Sequence, residues 1–279
     1  MTQAPNQTPN QAPLFDRTAL IAHRARIRPD ALFLHQTALD EVQDRLSMVN
    51  RIFTTPAIVT PVPDFWAPGF PNATIVPDDD VLDLEPSSHD LVIHAMGLHW
   101  ANDPVGQLIQ CRRALKEDGL LLVVALGGQT LHQLRAVLAE AETRVSGGLS
   151  PRVAPMAEIR DLGGLLQRAG VNLPVADVVP LTAEYRDIWH LMHDLRHMGE
   201  TNAMSARLRK PTTRTLFDEA NRLYFEHFAT AKGRIPAMFE IICLTGWSPS
   251  DSQPKPLRPG SAKSRLADAL KVPETKLPD

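Results

Sequence analysis

Six prolines crowd residues 56–77 (Pro56, Pro61, Pro63, Pro68, Pro71 and Pro77), and no glycine precedes Gly69 anywhere in the chain. Each internal proline removes a backbone donor and clashes with the preceding helical turn, so this stretch cannot form a regular helix. Only short extended pieces remain, and Ala57–Thr60 and Thr74–Val76 read as two brief strands. The interval from Ala57 to Asp90 holds about 34 residues, little more than the roughly 30 that one strand–helix–strand unit takes. Whatever the rest of the chain builds, this part adds strands with almost no helix between them.

The flanking segments are more regular. From Leu14 to about Arg51 the pattern is helical, with Arg17, Arg24, Arg26 and Arg28 giving its first part a basic face. After Pro29, residues Leu34, Ala38, Val42, Leu46 and Val49 recur at helical spacing. Leu91–His94 reads as a strand, and Asp103-Pro104 starts a helix expected to run to Asp118-Gly119. Leu120–Leu126 and Ala237–Thr245 are uninterrupted apolar runs, the pattern of strands buried on both faces. Helices are expected at Leu131–Val145, from Met156 to Gly170, at Ile188–Met198 and at Leu216–Phe228, with a further strand at Val175–Tyr185. Strand and helix alternate, which points to an α/β layered fold. The strands near Leu91–His94 and Leu120–Leu126 should be parallel and central, and the last two strands should pair antiparallel.

Residues 1–13 and 249–279 are polar or Pro/Ser/Lys-rich and are expected to be a disordered tail and a loose tail, the second with a short helix near Leu266–Leu270. Residues 14–248 are expected to form one domain. No apolar run approaches the ~20 residues that cross a bilayer, so no membrane span is expected. The N-terminus has neither a basic segment nor an apolar one of signal-peptide type, and a cytoplasmic location is the expectation. A net charge of −3 leaves no basic surplus for phosphates, so nucleic acid is not an expected partner. Two cysteines, Cys111 and Cys243, exclude a disulfide scaffold and a Cys-based zinc site.

Open α/β sheets bind ligands beyond the C-terminal ends of their strands. One such end is His94-Ala95-Met96-Gly97-Leu98-His99-Trp100-Ala101-Asn102-Asp103, with two imidazoles, an indole and a carboxylate ahead of a helix start. It reads as a pocket wall or as a connecting loop with a packed Trp. A second is Gly127-Gly128-Gln129-Thr130, where glycines let backbone approach a ligand, or make a tight turn with Thr130 as helix cap. His190, His193 and His197 share one helix face and could ligate zinc, but a solvated face explains them and no metal is expected. No nucleophile elbow, zincin or phosphate-loop motif occurs.

His99-Trp100-Ala101-Asn102-Asp103 after an apolar strand resembles the fourth-strand segment of class I S-adenosylmethionine-dependent methyltransferases. The version here is similar to their complex I assembly-factor branch, related to the malonyl-carrier-protein methyltransferase of biotin synthesis. The likeness runs from about Asp90 to Trp247 through Gly127-Gly128-Gln129-Thr130-Leu131, Gly147-Gly148-Leu149-Ser150-Pro151, Asp194-Leu195, Met198-Gly199-Glu200-Thr201-Asn202 and Gly246-Trp247, with Leu14-Phe15-Asp16-Arg17 fitting near the start. It implies a Rossmann-like three-layer methyltransferase fold, truncated in its first half, with added helices. Residues 14–51 would be N-terminal helices, 52–89 a degenerate cofactor region and 90–248 the second half of the sheet with a helical insertion.

The resemblance implies S-adenosylmethionine as cofactor, and it also sharpens a departure. Such enzymes open with a strand, a D-x-G-x-G-x-G loop, a helix, and a second strand ending in an acid that binds the ribose. Here the glycine loop is missing, so weak or absent cofactor affinity is predicted. Asp78, Asp79 and Asp80 read as a mimic of that acidic motif or as a solvated turn, and the turn is the expectation. Two functions follow: a methyltransferase-family enzyme acting on a protein or small molecule, methylating or, as in some members of this branch, hydroxylating an arginine; or an inactive methyltransferase-like assembly factor binding a respiratory-complex subunit or another client. Catalytic residues are not assigned. A pocket is expected where the fourth and fifth strand ends meet Asp194, Glu200 and Asn202, with His99 and Trp100 opposite. The candidate set is His94, His99, Trp100, Asp103, Gly127, Gly128, Gln129, Asp194, Glu200 and Asn202.

Overall fold

A computed structural model describes residues 12–254. The polar ends of both tails, and the helix expected at 266–270, lie outside the described residues. Residues up to Pro249 form one compact unit and those from Ser250 a second, and the sheet and every candidate site residue lie in the first. The described residues hold six strands: β1 (Pro56–Val59), β2 (Thr74–Val76), β3 (His89–Ala95), β4 (Leu115–Leu126), β5 (Asn172–Tyr185) and β6 (Ile235–Trp247). Eight helices accompany them: α1 (Arg17–Arg24), α2 (Phe33–Met48), α3 (Pro63–Trp66), α4 (Pro104–Ala114), α5 (His132–Ser146), α6 (Ile159–Arg168), α7 (Ile188–His197) and α8 (Arg214–Phe228).

The strands make one sheet in the order β2-β1-β3-β4-β6-β5. The first four run parallel, with β3 and β4 in the middle. β6 then pairs antiparallel with both β4 and β5. β4 shows why its sequence is apolar without alternation. Leu120, Leu122, Val124 and Leu126 enter a core shared with α2, α5, α7 and α8, while Leu121, Val123 and Ala125 enter a second core shared with α4 and α6. Burying each such side chain is worth roughly 1.5–3 kcal/mol, so a strand packed on both faces anchors the three layers. The fold is the Rossmann-like α/β architecture expected.

The proline-rich region keeps two strands and loses the helices between them. Pro63, at the first helical position where no amide donor is needed, starts a single turn that continues as a 3-10 turn over Ala67–Gly69. β2 and β3 are joined by residues 77–88 without a helix.

Two local expectations are corrected. α4 stops at Ala114, short of Asp118-Gly119, because Leu115 is buried and already pairs with His89 as the start of β4. Asp118, at φ 57°, turns the chain inside that strand. Thr130 does not cap α5. The capping position belongs to Leu131 at φ 54°, whose amide donates to the Met238 carbonyl at 2.7 Å, while the Thr130 hydroxyl donates to the Gly127 carbonyl and accepts from the Glu240 amide.

Candidate functional site

Helix α1 and the loops at the C-terminal ends of β1–β4 converge on a buried polar cluster. β3 ends with Met96 in the left-handed region at φ 57°, followed by Gly97 and a 3-10 turn over Leu98–Trp100. A side chain at Gly97 would place Cβ 2.7 Å from a carboxylate oxygen of Asp78, so only glycine fits. The turn delivers His99 and Trp100 side by side. The Leu126 amide donates to His99 Nδ1 at 3.4 Å, which leaves the proton on Nε2, 3.1 Å from Glu200 Oε2. Trp100 Nε1 donates to the same oxygen at 2.8 Å.

Glu200 arrives from the other direction. Gly199, at φ 81°, ends α7 and swings the chain away from the helix face, and the Glu200 amide closes back on the Leu195 carbonyl. Burial pushes the Glu200 carboxyl upward, but electrostatic attraction to the His99 ring first, then the His99 and Trp100 hydrogen bonds and the nearby Arg24 charge, outweigh it and hold the group below the ordinary carboxylate range. Glu200 is therefore ionised at neutral pH.

Towards β1 and β2 the space is filled by protein. Arg24 of α1 grips Asp78 with two bonds of 2.7 and 2.9 Å, and Asp78 is 3% exposed. The solvated-turn reading of Asp78 is thereby corrected, although Asp79 and Asp80 do lie on the surface. Beside this pair, the fully buried Trp66 donates from Nε1 to His35 Nδ1 at 3.1 Å. Burial lowers the His35 pKa to about 4; Glu200 acts in the opposite sense, while His99 and Arg24 add to the lowering.

S-adenosylmethionine does not fit these residues. Thr60-Pro61-Val62-Pro63 stands where a glycine loop would let backbone approach the cofactor. The acid after β2 is present as Asp78, but both its oxygens are taken by Arg24.

On the other side of Trp100 and Glu200 lies a cavity of about 240 Å³. Leu126, Leu134, Leu138, Met156, Met192 and Phe239 are among its apolar walls, and Glu200, Thr201, Asn202 and Arg152 supply its polar rim. Arg152 is fixed by two bonds to Glu142, at 2.6 and 3.0 Å, and by a third to the Thr212 hydroxyl. These bonds, with those from Ser150, hold the Glu142 carboxyl down at about 2.

No family model matches the chain. Individual proteins do. Arginine-hydroxylase NDUFAF5, mitochondrial, of Danio rerio is 33% identical over 225 residues, 81% of this chain and 70% of that protein. The chain belongs to this family, the complex I assembly-factor branch of the class I methyltransferases. The Homo sapiens relative of the same name is 34% identical over 202 residues, 72% of this chain and 58% of that protein. A malonyl-[acyl-carrier protein] O-methyltransferase of Methylovorus sp. is 34% identical over 172 residues, 62% of this chain and 55% of that protein. The chain spans as little as 44% of the length of the relatives it matches.

Within this assembly-factor fold the candidate residues separate. Trp100, Glu200 and Asn202 line the cavity together, and His99 reaches it through Glu200. The others stand apart. His94 is fully buried and pairs through Nε2 with Gln107, which in turn donates to the Asp78 and Asp79 carbonyls. Asp103 caps α4 through the Gly106 amide. Gly127, Gly128 and Gln129 form a turn closed by the Glu240 carbonyl, the Ala157 carbonyl and the Glu240 carboxylate in that order. Asp194 accepts from the Tyr185 hydroxyl at 2.8 Å. Asn202 is itself tied, donating to the Pro151 carbonyl and accepting from the Met204 amide. His193 and His197 meet edge to face with ring centroids 4.1 Å apart, and among the described residues no three His, Cys, Asp or Glu side chains group as a metal site.

Arg24, His35, Trp66, Thr201 and Arg152 were not legible as site residues. Arg24 carried a signal as part of the basic face of the first helix, and Thr201 as part of the Met198–Asn202 segment of the family resemblance.

Proposed function

We propose that this chain is a methyltransferase-fold binding or assembly factor. In this reading it has exchanged cofactor binding for a rigid wall of its own side chains and receives a client group in the cavity beside Trp100 and Glu200. The observation that carries the reading is the filling of the β1–β2 ends by the Arg24–Asp78 and His35–Trp66 pairs. A buried, bidentate Arg–carboxylate pair is costly to open, about 3–5 kcal/mol when one partner is lost, so a cofactor would have to displace a structural element to enter. The client in this reading is a protein subunit of a respiratory complex, or a small molecule presented with it. The cytoplasm is its place, although the relatives from five species carry the word mitochondrial in their names; cell fractionation distinguishes the two. Among the described residues no helix is long and apolar enough to cross a membrane.

Calorimetry with S-adenosylmethionine tests the proposal. No binding in the micromolar range is expected, and a micromolar affinity would overturn it. A second reading, an enzyme that hydroxylates an arginine of its client, is favoured by the name of the relatives and by the His99–Glu200–Trp100 cluster at the cavity wall. Mass spectrometry of co-expressed client, with and without this chain, would reveal one added oxygen if that reading holds.

A further inference from the structure

We propose that the cavity beside Glu200 binds a primary amine carried on an apolar body, with the ammonium on Glu200 Oε1 and the body among Leu134, Leu138, Met156 and Phe239. The proposal rests on the reading above that the chain works through this cavity, and it adds the chemistry of what enters.

Size comes first. A dry protein cavity of about 150 Å³ holds benzene. At about 240 Å³ this one accommodates a larger group, such as a bicyclic ring or a medium alkyl chain. Its walls are mainly Leu, Met and Phe, so the body of the ligand is apolar.

The head group follows from which polar atoms are already used. Arg152 is the cation on the rim, and its charge is already paired with the Glu142 carboxylate, with a further bond to the Thr212 hydroxyl. Asn202 is committed to Pro151 and Met204. Glu200 Oε2 accepts from both His99 and Trp100, while Oε1 has no hydrogen-bond partner among the described residues. The Thr201 hydroxyl also lacks a partner, but it is sealed from the cavity, and the carbonyl of the same residue is engaged by His23. That leaves Glu200 Oε1, a carboxylate oxygen of a residue in the cavity wall, open to a donor. A charged donor there pairs the Glu200 carboxylate at the edge of a mainly apolar space. An anionic head would instead face the Glu200 charge without a free cation to offset it.

The test is calorimetry on the full chain at pH 7 with n-alkylamines from butylamine to octylamine, with octanoate and octanol as the matched acid and alcohol. Amine affinity should rise about fourfold per methylene until the cavity is full, and octanoate should not bind. Glu200→Gln should weaken octylamine at least tenfold while the melting temperature reports whether the chain still folds. Leu208→Trp, at a cavity residue that is 46% exposed, should block entry with the fold intact. Octanoate binding as well as octylamine, or octylamine binding unchanged by Glu200→Gln, would overturn the amine assignment. If octanol binds as tightly as octylamine and Leu208→Trp abolishes both, the cavity reading stands and the amine head is wrong. If no alkyl probe binds while S-adenosylmethionine does, the functional reading itself fails.

Discussion

Acidification should weaken this fold through one histidine. His35 is 3% exposed, sits against Trp66 and has a folded-state pKa of about 4 against an ordinary 6.5. A group with a lowered basic pKa binds its proton more readily in the unfolded chain, so stability rises with pH between those two values. Above pH 6.5 both states are neutral and nothing is lost. As pH falls the unfolded state gains protons first, and the penalty is complete only below about pH 4, where it reaches roughly 3 kcal/mol. Between pH 7 and pH 5 the expected loss is about 2 kcal/mol.

His35→Asn isolates the effect, since the amide oxygen can still accept from Trp66 Nε1 but does not titrate. At pH 7 the variant should be less stable by about 1 kcal/mol, for the lost ring volume. By pH 5 that order should reverse. Urea unfolding of both proteins across pH 5–8 measures this, and carboxylates that titrate in the same range cancel in the difference. If the gap between wild type and variant stays constant within about 0.5 kcal/mol, His35 is not the buried neutral imidazole described, and the packing against Trp66 is misjudged.

Arg24→Met should destabilise by about 3–5 kcal/mol, because it strands the buried Asp78 carboxylate; adding Asp78→Asn should recover part of the loss, and a double-mutant cycle by urea unfolding reads the coupling. Gly97→Ala should cost about 1–3 kcal/mol by thermal or urea melting, since its Cβ would fall 2.7 Å from Asp78 Oδ2. Arg152→Ala should remove about 2 kcal/mol at pH 7 by releasing Glu142. Because the Glu142 carboxyl lies near 2 against 4.5, the wild-type advantage should be full above pH 4.5 and fade as pH falls towards 2, which a pH series of melting curves would show.

Local pattern was enough for the second half of the molecule. The unbroken apolar runs of β4 and β6 follow from burial on both faces, and the Gly199 break that frees Glu200 follows from the need for a left-handed residue at a helix end. The proline cluster likewise dictated short strands with almost no crossover helix, since backbone sterics act within a few residues. Asp78 shows where that kind of reading stops. In the chain it is one of three consecutive aspartates, and what distinguishes it from Asp79 and Asp80 is Arg24, 54 residues away. His35 meets Trp66 across 31 residues, and Trp100 meets Glu200 across 100. Such pairs have no periodicity and no fixed spacing. They arise only when α1, α2 and the turn after α7 fold over the ends of the parallel strands, and it is this packing that decides which polar atoms are satisfied and which are left free to meet a ligand.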